Sequence, residues 1–264
     1  MDPATAFLVD AQRLFGFVEA ALWTLLRVGA VLMAAPLIGT RAVPVRVRMM
    51  FAMALAVTLA PVLPAPPPVA SVDALTVLNV IREIAVGVAM GFVLRLAFEA
   101  GALAGELVSQ GMALSFAQMA DPLRGGASSG VVGQWFYVAL ALLFFAFDAH
   151  LALVGLIADS YRLLPVGTPL ADPARLAAAV PAFLPTVLYA GVMIALPVMV
   201  AMLVVNLSFG VLSRAAPALN PIQIGLPAAL VIGLFLLTIL TGELAGPAKQ
   251  LFEAAFEHAG GMLR

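Results

Sequence analysis

An all-α integral membrane protein is the fold class this sequence predicts, on three observations. The runs 49–72, 176–213 and 215–242 hold no charged residue, and each is long enough to cross a bilayer, which takes about 20 mostly apolar residues. A fourth run, 125–147, is interrupted only by small polar residues near its start. The chain of 264 residues is 64% hydrophobic and 10% charged, against about 25% charged in an ordinary soluble domain, and no polar block is large enough to fold alone in water. The solvent for much of this protein is lipid or the interior of a membrane assembly, which removes most soluble enzyme classes. A net charge of −1 gives no electrostatic reason to expect nucleic acid. The absence of cysteine excludes disulfides, thiolate metal sites and cysteine nucleophiles. Neither a metal nor a cofactor is expected.

Six apolar regions follow in order, at about 14–39, 47–63, 76–105, 130–158, 180–213 and 224–246. The segment before the first, MDPATAFLVD, has two aspartates and no early Lys or Arg. A cleavable signal peptide wants a positive leader, so the first region is expected to be retained. It embeds Glu19 and Arg27. The second ends in Pro61, Pro64, Pro66, Pro67 and Pro68, a stiff extended stretch that is not helix.

The third region embeds Arg82, Glu83, Arg95, Glu99 and Glu106. Ionisable groups at membrane depth are costly unless they face protein or water, so this helix is expected inside an assembly or projecting beyond the bilayer. Gly87 with Gly91, and Gly101 with Gly105, form two GxxxG pairs. Fourteen residues apart at about 100° each, the pairs return to nearly one face, and the four glycines predict a smooth stripe for close helix approach. The approaching helix belongs either to this chain or to a partner subunit.

The stretch 121–130 (DPLRGGASSG) is loop chemistry, and Pro165, Pro169 and Pro173 mark another connection. Pro181, Pro185 and Pro197 fall in the fifth region, which is expected to be kinked or broken into a hairpin. For six crossings, one side collects Arg41, Arg46, Arg48, Arg124 and Arg214, and the other Arg13, Arg162, Arg175, Lys249 and Arg264. The positive-inside rule finds no majority in five against five, so a plain six-pass topology is doubtful.

Candidate chemistry is sparse. A phosphate-binding loop needs Gly-Lys-Ser/Thr, and the only lysine is Lys249, in PAKQ. ASSG (127–130) is similar to a rhomboid-like serine loop with His150 as base, but Ala127 replaces the first glycine, and small polar residues in a loop are the commoner reading. An aspartyl counterpart needs Gly-Asp, which never occurs. Asp148, His150 and Asp159 are candidates for a proton relay, Asp148 and Asp159 sharing one helical face if the helix is unbroken; the alternative is that FDAH is a polar helix end capped by Asp148. The stretch QGMALSFAQMADP (110–122) sets Met112, Phe116 and Met119 among small residues. Methionine adapts its shape to many surfaces, so such a segment suits a deformable seal. Plain core packing at helical spacing is the commoner reading.

Four stretches in order, RVGAVLMAAPLIGTRAVPVRVR (27–48), QGMALSFAQMADP (110–122), FDAHLALVGLIADSYRLLPVG (147–167) and LVVNLSFGVLSRAAPALNPIQIGLP (203–227), resemble the FliR/SctT family. These are export-gate proteins of flagellar and injectisome type III secretion. Ile-Gly-Leu-Pro (224–227) looks like the flagellar branch, whereas Pro221 departs from that branch's bulky hydrophobic residue. The resemblance implies a non-enzymatic subunit that joins FliP and FliQ, near FlhB and FlhA, in a helical assembly at the flagellar basal body of the inner membrane. Unfolded flagellar subunits pass through that assembly. It further implies a FliP-like part at about 1–175 and a FliQ-like helical hairpin at 176–264. The family's plug falls on about 110–122, with Met112, Phe116 and Met119 occluding the channel and Gly111 letting the loop turn. Arg95, Glu99 and Glu106 would pair across subunit interfaces. The alternatives are an injectisome gate subunit and a proton-coupled small-solute transporter, which usually shows paired inverted repeats; none is visible here.

Overall fold

The computed structural model describes residues 3–40, 42–68, 73–112, 130–169, 172–216 and 221–263, with the side chains of 3–9 and 221–224 excepted. Among them are nine α-helices and no strand. They are α1 (Pro3–Ala34), α2 (Val45–Leu59), α3 (Ala74–Gly111), α4 (Val131–Ala146), α5 (Ala149–Leu163), α6 (Pro173–Ala182), α7 (Leu184–Ala215), α8 (Pro221–Glu243) and α9 (Ala245–Gly261). Five helical stretches are long and apolar enough to cross a membrane, and a sixth is added if the broken pair α4–α5 is one span. The chain forms two compact units that interleave along the sequence.

The first unit takes residues 1–95, 149–183 and 254–264. Here α1 packs on α2 through a turn in which Leu37 is left-handed (φ 66°). Arg48 clamps that turn, its Nη2 donating to the carbonyls of Thr40 and Val43, both at 2.9 Å. The buried positions of α2 are Ala52 and Ala56, followed by Ala60 in the 3₁₀ turn Ala60–Val62. A small residue every fourth position lets α2 lie close, while Met50, Phe51 and Val57 on other faces stay exposed. Pro61 sits in the 3₁₀ turn that ends this element.

At 38 residues, α3 is about 57 Å long, well beyond a hydrocarbon core of about 30 Å. It starts where the Asp73 carboxylate accepts from the backbone and hydroxyl of Thr76, bonds that hold this exposed carboxyl below the usual carboxylate range. A Cβ on Gly87 would lie 2.6 Å from the Arg27 carbonyl of α1, and one on Gly91 2.5 Å from that of Val31. Backbone cannot yield at such distances, so these glycines set the closeness of α1.

The second unit takes residues 96–148 and 184–253. Its core joins Ala104, Val108 and Met112 of α3 to Phe136 of α4, Val198 and Met202 of α7, and Leu237 and Leu240 of α8. Phe98, Phe144 and Phe252 meet with ring centroids 5.5–5.8 Å apart, favourable for tilted and edge-on aromatic packing. Gly105 abuts the backbone of Gly133 on α4, and a Cβ on Gly101 would meet the tip of Leu140 at 2.5 Å. The two glycine pairs therefore serve different neighbours, α1 and α4, both within this chain. Helices α7 and α8 pack together. Pro197 lies inside α7, and the break expected in the fifth region falls at Phe183, between α6 and α7.

Candidate functional site

Two places carry the chemistry singled out by the sequence, one in each unit. In the first unit, Arg27 of α1 is fully buried. Its Nε donates to Glu83 Oε2 at 2.7 Å and its Nη2 to Glu83 Oε1 at 2.9 Å, a two-point grip on a fully buried carboxylate of α3. Nη1 donates to Ser160 Oγ at 3.1 Å, and Nη2 also reaches the Leu164 carbonyl at 2.8 Å. The guanidinium carbon lies 4.0 Å from the centre of the Tyr161 ring. Tyr161 Oη donates to the Thr24 carbonyl at 3.1 Å. Beside this knot, Arg82 is nearly buried, 3.9 Å from Glu83. One ion pair thereby ties α1, α3 and α5. Its saturated bonding makes it a structural lock rather than an acid–base pair.

In the second unit, α3 ends at the start of the stretch expected to seal a channel. Met112 is 1% exposed, its amide continuing the helical ladder to Val108 and its side chain pressed against Gly233 of α8. Gly111 lies against Met202 of α7, and its carbonyl accepts from Asn206 Nδ2 at 3.2 Å. Nearby, Ser109 Oγ is buried without a hydrogen-bond partner among the described residues. Met112 is thus part of the apolar core of this unit. Phe116, Met119, Ser128 and Ser129 lie outside the described residues.

The remaining candidates are scattered. Arg95 and Glu99 are exposed on α3, and Glu106 is half-buried, accepting from Gln110 at 3.5 Å. Among the described residues the buried charges are Arg27, Arg82 and Glu83, and sequence reasoning did not assign them to one another. Arg27 and Glu83 stand 56 positions apart, so no local spacing connects them. The signal that could have paired them was the cost of two lone charges in apolar helices. Asp148 is exposed at the break between α4 and α5, in the left-handed region (φ 54°), while His150 is half-buried in the first turn of α5. Asp159, on α5, is exposed and paired with Arg162 at 3.0 Å.

Five or six candidate spans, an internal ion-pair lock and an apolar core with close glycine contacts define a helical membrane protein. The chain belongs to the family described as bacterial export proteins, family 1, which matches residues 18–255. It is 35% identical over 250 residues to the flagellar biosynthetic protein FliR of Escherichia coli (strain K12), covering 94% of each chain. To the FliR of Pectobacterium carotovorum subsp. carotovorum it is 35% identical over 243 residues, covering 91% of each. The FliR of Bacillus subtilis (strain 168) is 26% identical over 240 residues, 90% of this chain and 92% of that one.

Proposed function

We propose that this chain is a core subunit of the flagellar type III protein export gate. With FliP and FliQ it forms the channel that passes unfolded flagellar subunits across the bacterial inner membrane, at the flagellar basal body, with FlhB and FlhA alongside. The observation that carries this reading is the near full-length similarity to flagellar FliR proteins, in a chain with five or six apolar helices fit to span. The role needs no catalysis. A FliP-like part at 1–175 and a FliQ-like hairpin at 176–264 complete the proposal, the hairpin being α7 and α8.

Two features support a conduit built from several subunits. The exposed Arg95 and Glu99 sit on a helix longer than a bilayer, where neighbouring subunits would shield them. Met112 fixes one end of the proposed plug in the apolar core, leaving Phe116 and Met119 beyond it to occlude the channel. Deleting the gene should abolish swimming and filament growth, and the tagged chain should bring FliP and FliQ with it from membranes. Growth of normal filaments in the deletion strain would overturn the reading. Met119→Gly should raise the ion conductance of resting membranes several-fold, and conductance at the control level would remove the plug while leaving the subunit's membership intact.

A further inference from the structure

A groove of 780 Å³ opens in the first unit between α3 and α6. Its walls include Leu78, Ile81, Val88 and Phe92 from α3 and Leu176 and Val180 from α6, and the one charged residue lining it is Arg82. That arginine is 7% exposed. Its Nε is buried with no hydrogen-bond partner among the described residues, and its Nη2 reaches only the Pro165 carbonyl, at 3.4 Å. Glu83, 3.9 Å away, already gives both carboxylate oxygens to Arg27. The cluster of Arg27, Arg82 and Glu83 therefore holds two cations and one anion, and a buried charge left over calls for an anion from outside.

The level of Arg82 in the unit narrows what that anion is. Pro165 belongs to the non-helical connection after α5, where Gly167 is left-handed (φ +87°) and a Cβ on it would lie 2.8 Å from the ring of Pro67. Irregular backbone in a membrane protein lies at the interface or is covered by protein. Arg82 is about 12 Å along α3 from its first residue, and the groove's apolar walls continue from it to Phe92. An apolar slot with a single cation toward one end complements a molecule with an acyl chain and an anionic head. Its volume suits one such chain, falling in the range of about 300–1,000 Å³ that holds a single small ligand.

We propose that this groove binds an anionic phospholipid, one acyl chain lying between α3 and α6 and the headgroup phosphate against Arg82. The proposal is independent of the export reading. The test is native mass spectrometry of the full-length chain in detergent, titrated with phosphatidylglycerol or with phosphatidylcholine of the same acyl chains. Phosphatidylglycerol should be retained about fivefold more tightly, one cation's share of the attraction to anionic lipid. Arg82→Gln should erase that preference by weakening phosphatidylglycerol alone. Ala85→Phe, which fills the groove and leaves Arg82 in place, should weaken both lipids and so decides the matter if Arg82→Gln fails to fold. Equal retention of the two lipids by the native chain would overturn the site, as would a preference that survives Arg82→Gln or binding untouched by Ala85→Phe. In intact membranes, Ile84→Cys, in a chain otherwise free of cysteine, carrying a photo-cross-linker on its thiol should cross-link to phosphatidylglycerol. Cross-linking to a neighbouring subunit in place of lipid would assign the groove to a protein partner and overturn the proposal.

Discussion

In the first unit, helices are held by a guanidinium whose donors meet a carboxylate, a hydroxyl and a carbonyl. The described core of the second unit is apolar, with methionines, phenylalanines and leucines around glycines that admit close contact. Lipid gives little hydrophobic drive between helices, so each unit needs another source of specificity. The polar lock fixes one arrangement because every bond has a direction, and removing one member strands the rest. Apolar packing depends on volume, tolerates substitutions that conserve it, and lets surfaces slide. The end of α3 that leads into the proposed plug lies in the second kind of environment, where Asn206 supplies a single hydrogen bond to Gly111.

The sharpest way to break this comparison is to take the lock apart. Arg27→Met should destabilise the chain by about 3–5 kcal/mol, because the buried Glu83 loses its two-point partner and keeps only Arg82, 3.9 Å away. Converting both, Arg27→Met with Glu83→Leu, should recover part of that loss and not all of it, because Arg82 then has no carboxylate beside it. Thermal unfolding of the four members of this cycle in detergent measures it. If the double variant is as unstable as the single, Ser160, Leu164 and Tyr161 carry the lock and the carboxylate does not.

Next in size is the apolar anchor. Met112→Ala should cost about 2–5 kcal/mol, the usual range for emptying a buried methionine site. Met112→Leu should cost under about 1.5 kcal/mol because the volume is kept. The same pair of changes read by membrane conductance tests the plug as well, since an anchor that shrinks should loosen what it holds. Equal effects of Ala and Leu would mean that shape does not govern this core.

Smaller again is the contrast between two glycines of one helix. Gly105→Val sets a branched side chain against the backbone of Gly133, which cannot move aside, and should cost about 1–3 kcal/mol as overpacking does. Gly101→Ala crowds the end of Leu140, which can turn to another rotamer, and meets Phe136 at an ordinary contact distance, so it should be distinctly milder. Thermal unfolding of both variants in the same detergent ranks them, and a reversed ranking would contradict the helix spacing.

These cases also show how far the sequence could be read. The long uncharged runs revealed the helical membrane class, and the spacing of Gly87, Gly91, Gly101 and Gly105 revealed that α3 is approached closely. Spacing could not reveal which helices approach, because that depends on tertiary packing, and the two pairs turned out to serve α1 and α4. Charge in apolar sequence marked Arg27, Glu83 and Arg82 as expensive, but pairing across 56 positions is settled by folding and leaves no local pattern. Arg95 and Glu99 face outward on this chain, the side from which the pairing across subunit interfaces implied by the family resemblance would come, so their embedding in an apolar stretch marked a surface and not a core. The broken helix at Asp148 was visible only as a cluster of polar residues, because a left-handed aspartate has no distinctive sequence neighbour.

The smallest effect expected has the opposite sign. Gly155 lies exposed on α5, and no heavy atom stands within 4 Å of where its Cβ would be. A helical glycine that nothing touches contributes only chain entropy to the unfolded state, so Gly155→Ala should stabilise the isolated chain by about 0.5–1 kcal/mol. Set beside Gly105→Val, it separates the two reasons for a glycine in a helix: room for a neighbour and simple permissiveness. A thermal unfolding scan showing the Gly155→Ala chain less stable than the native one would contradict the open surface at this position. An unchanged isolated chain that assembles poorly with its partner subunits would place a neighbouring helix against α5, and the permissive glycine would then belong with the packing ones.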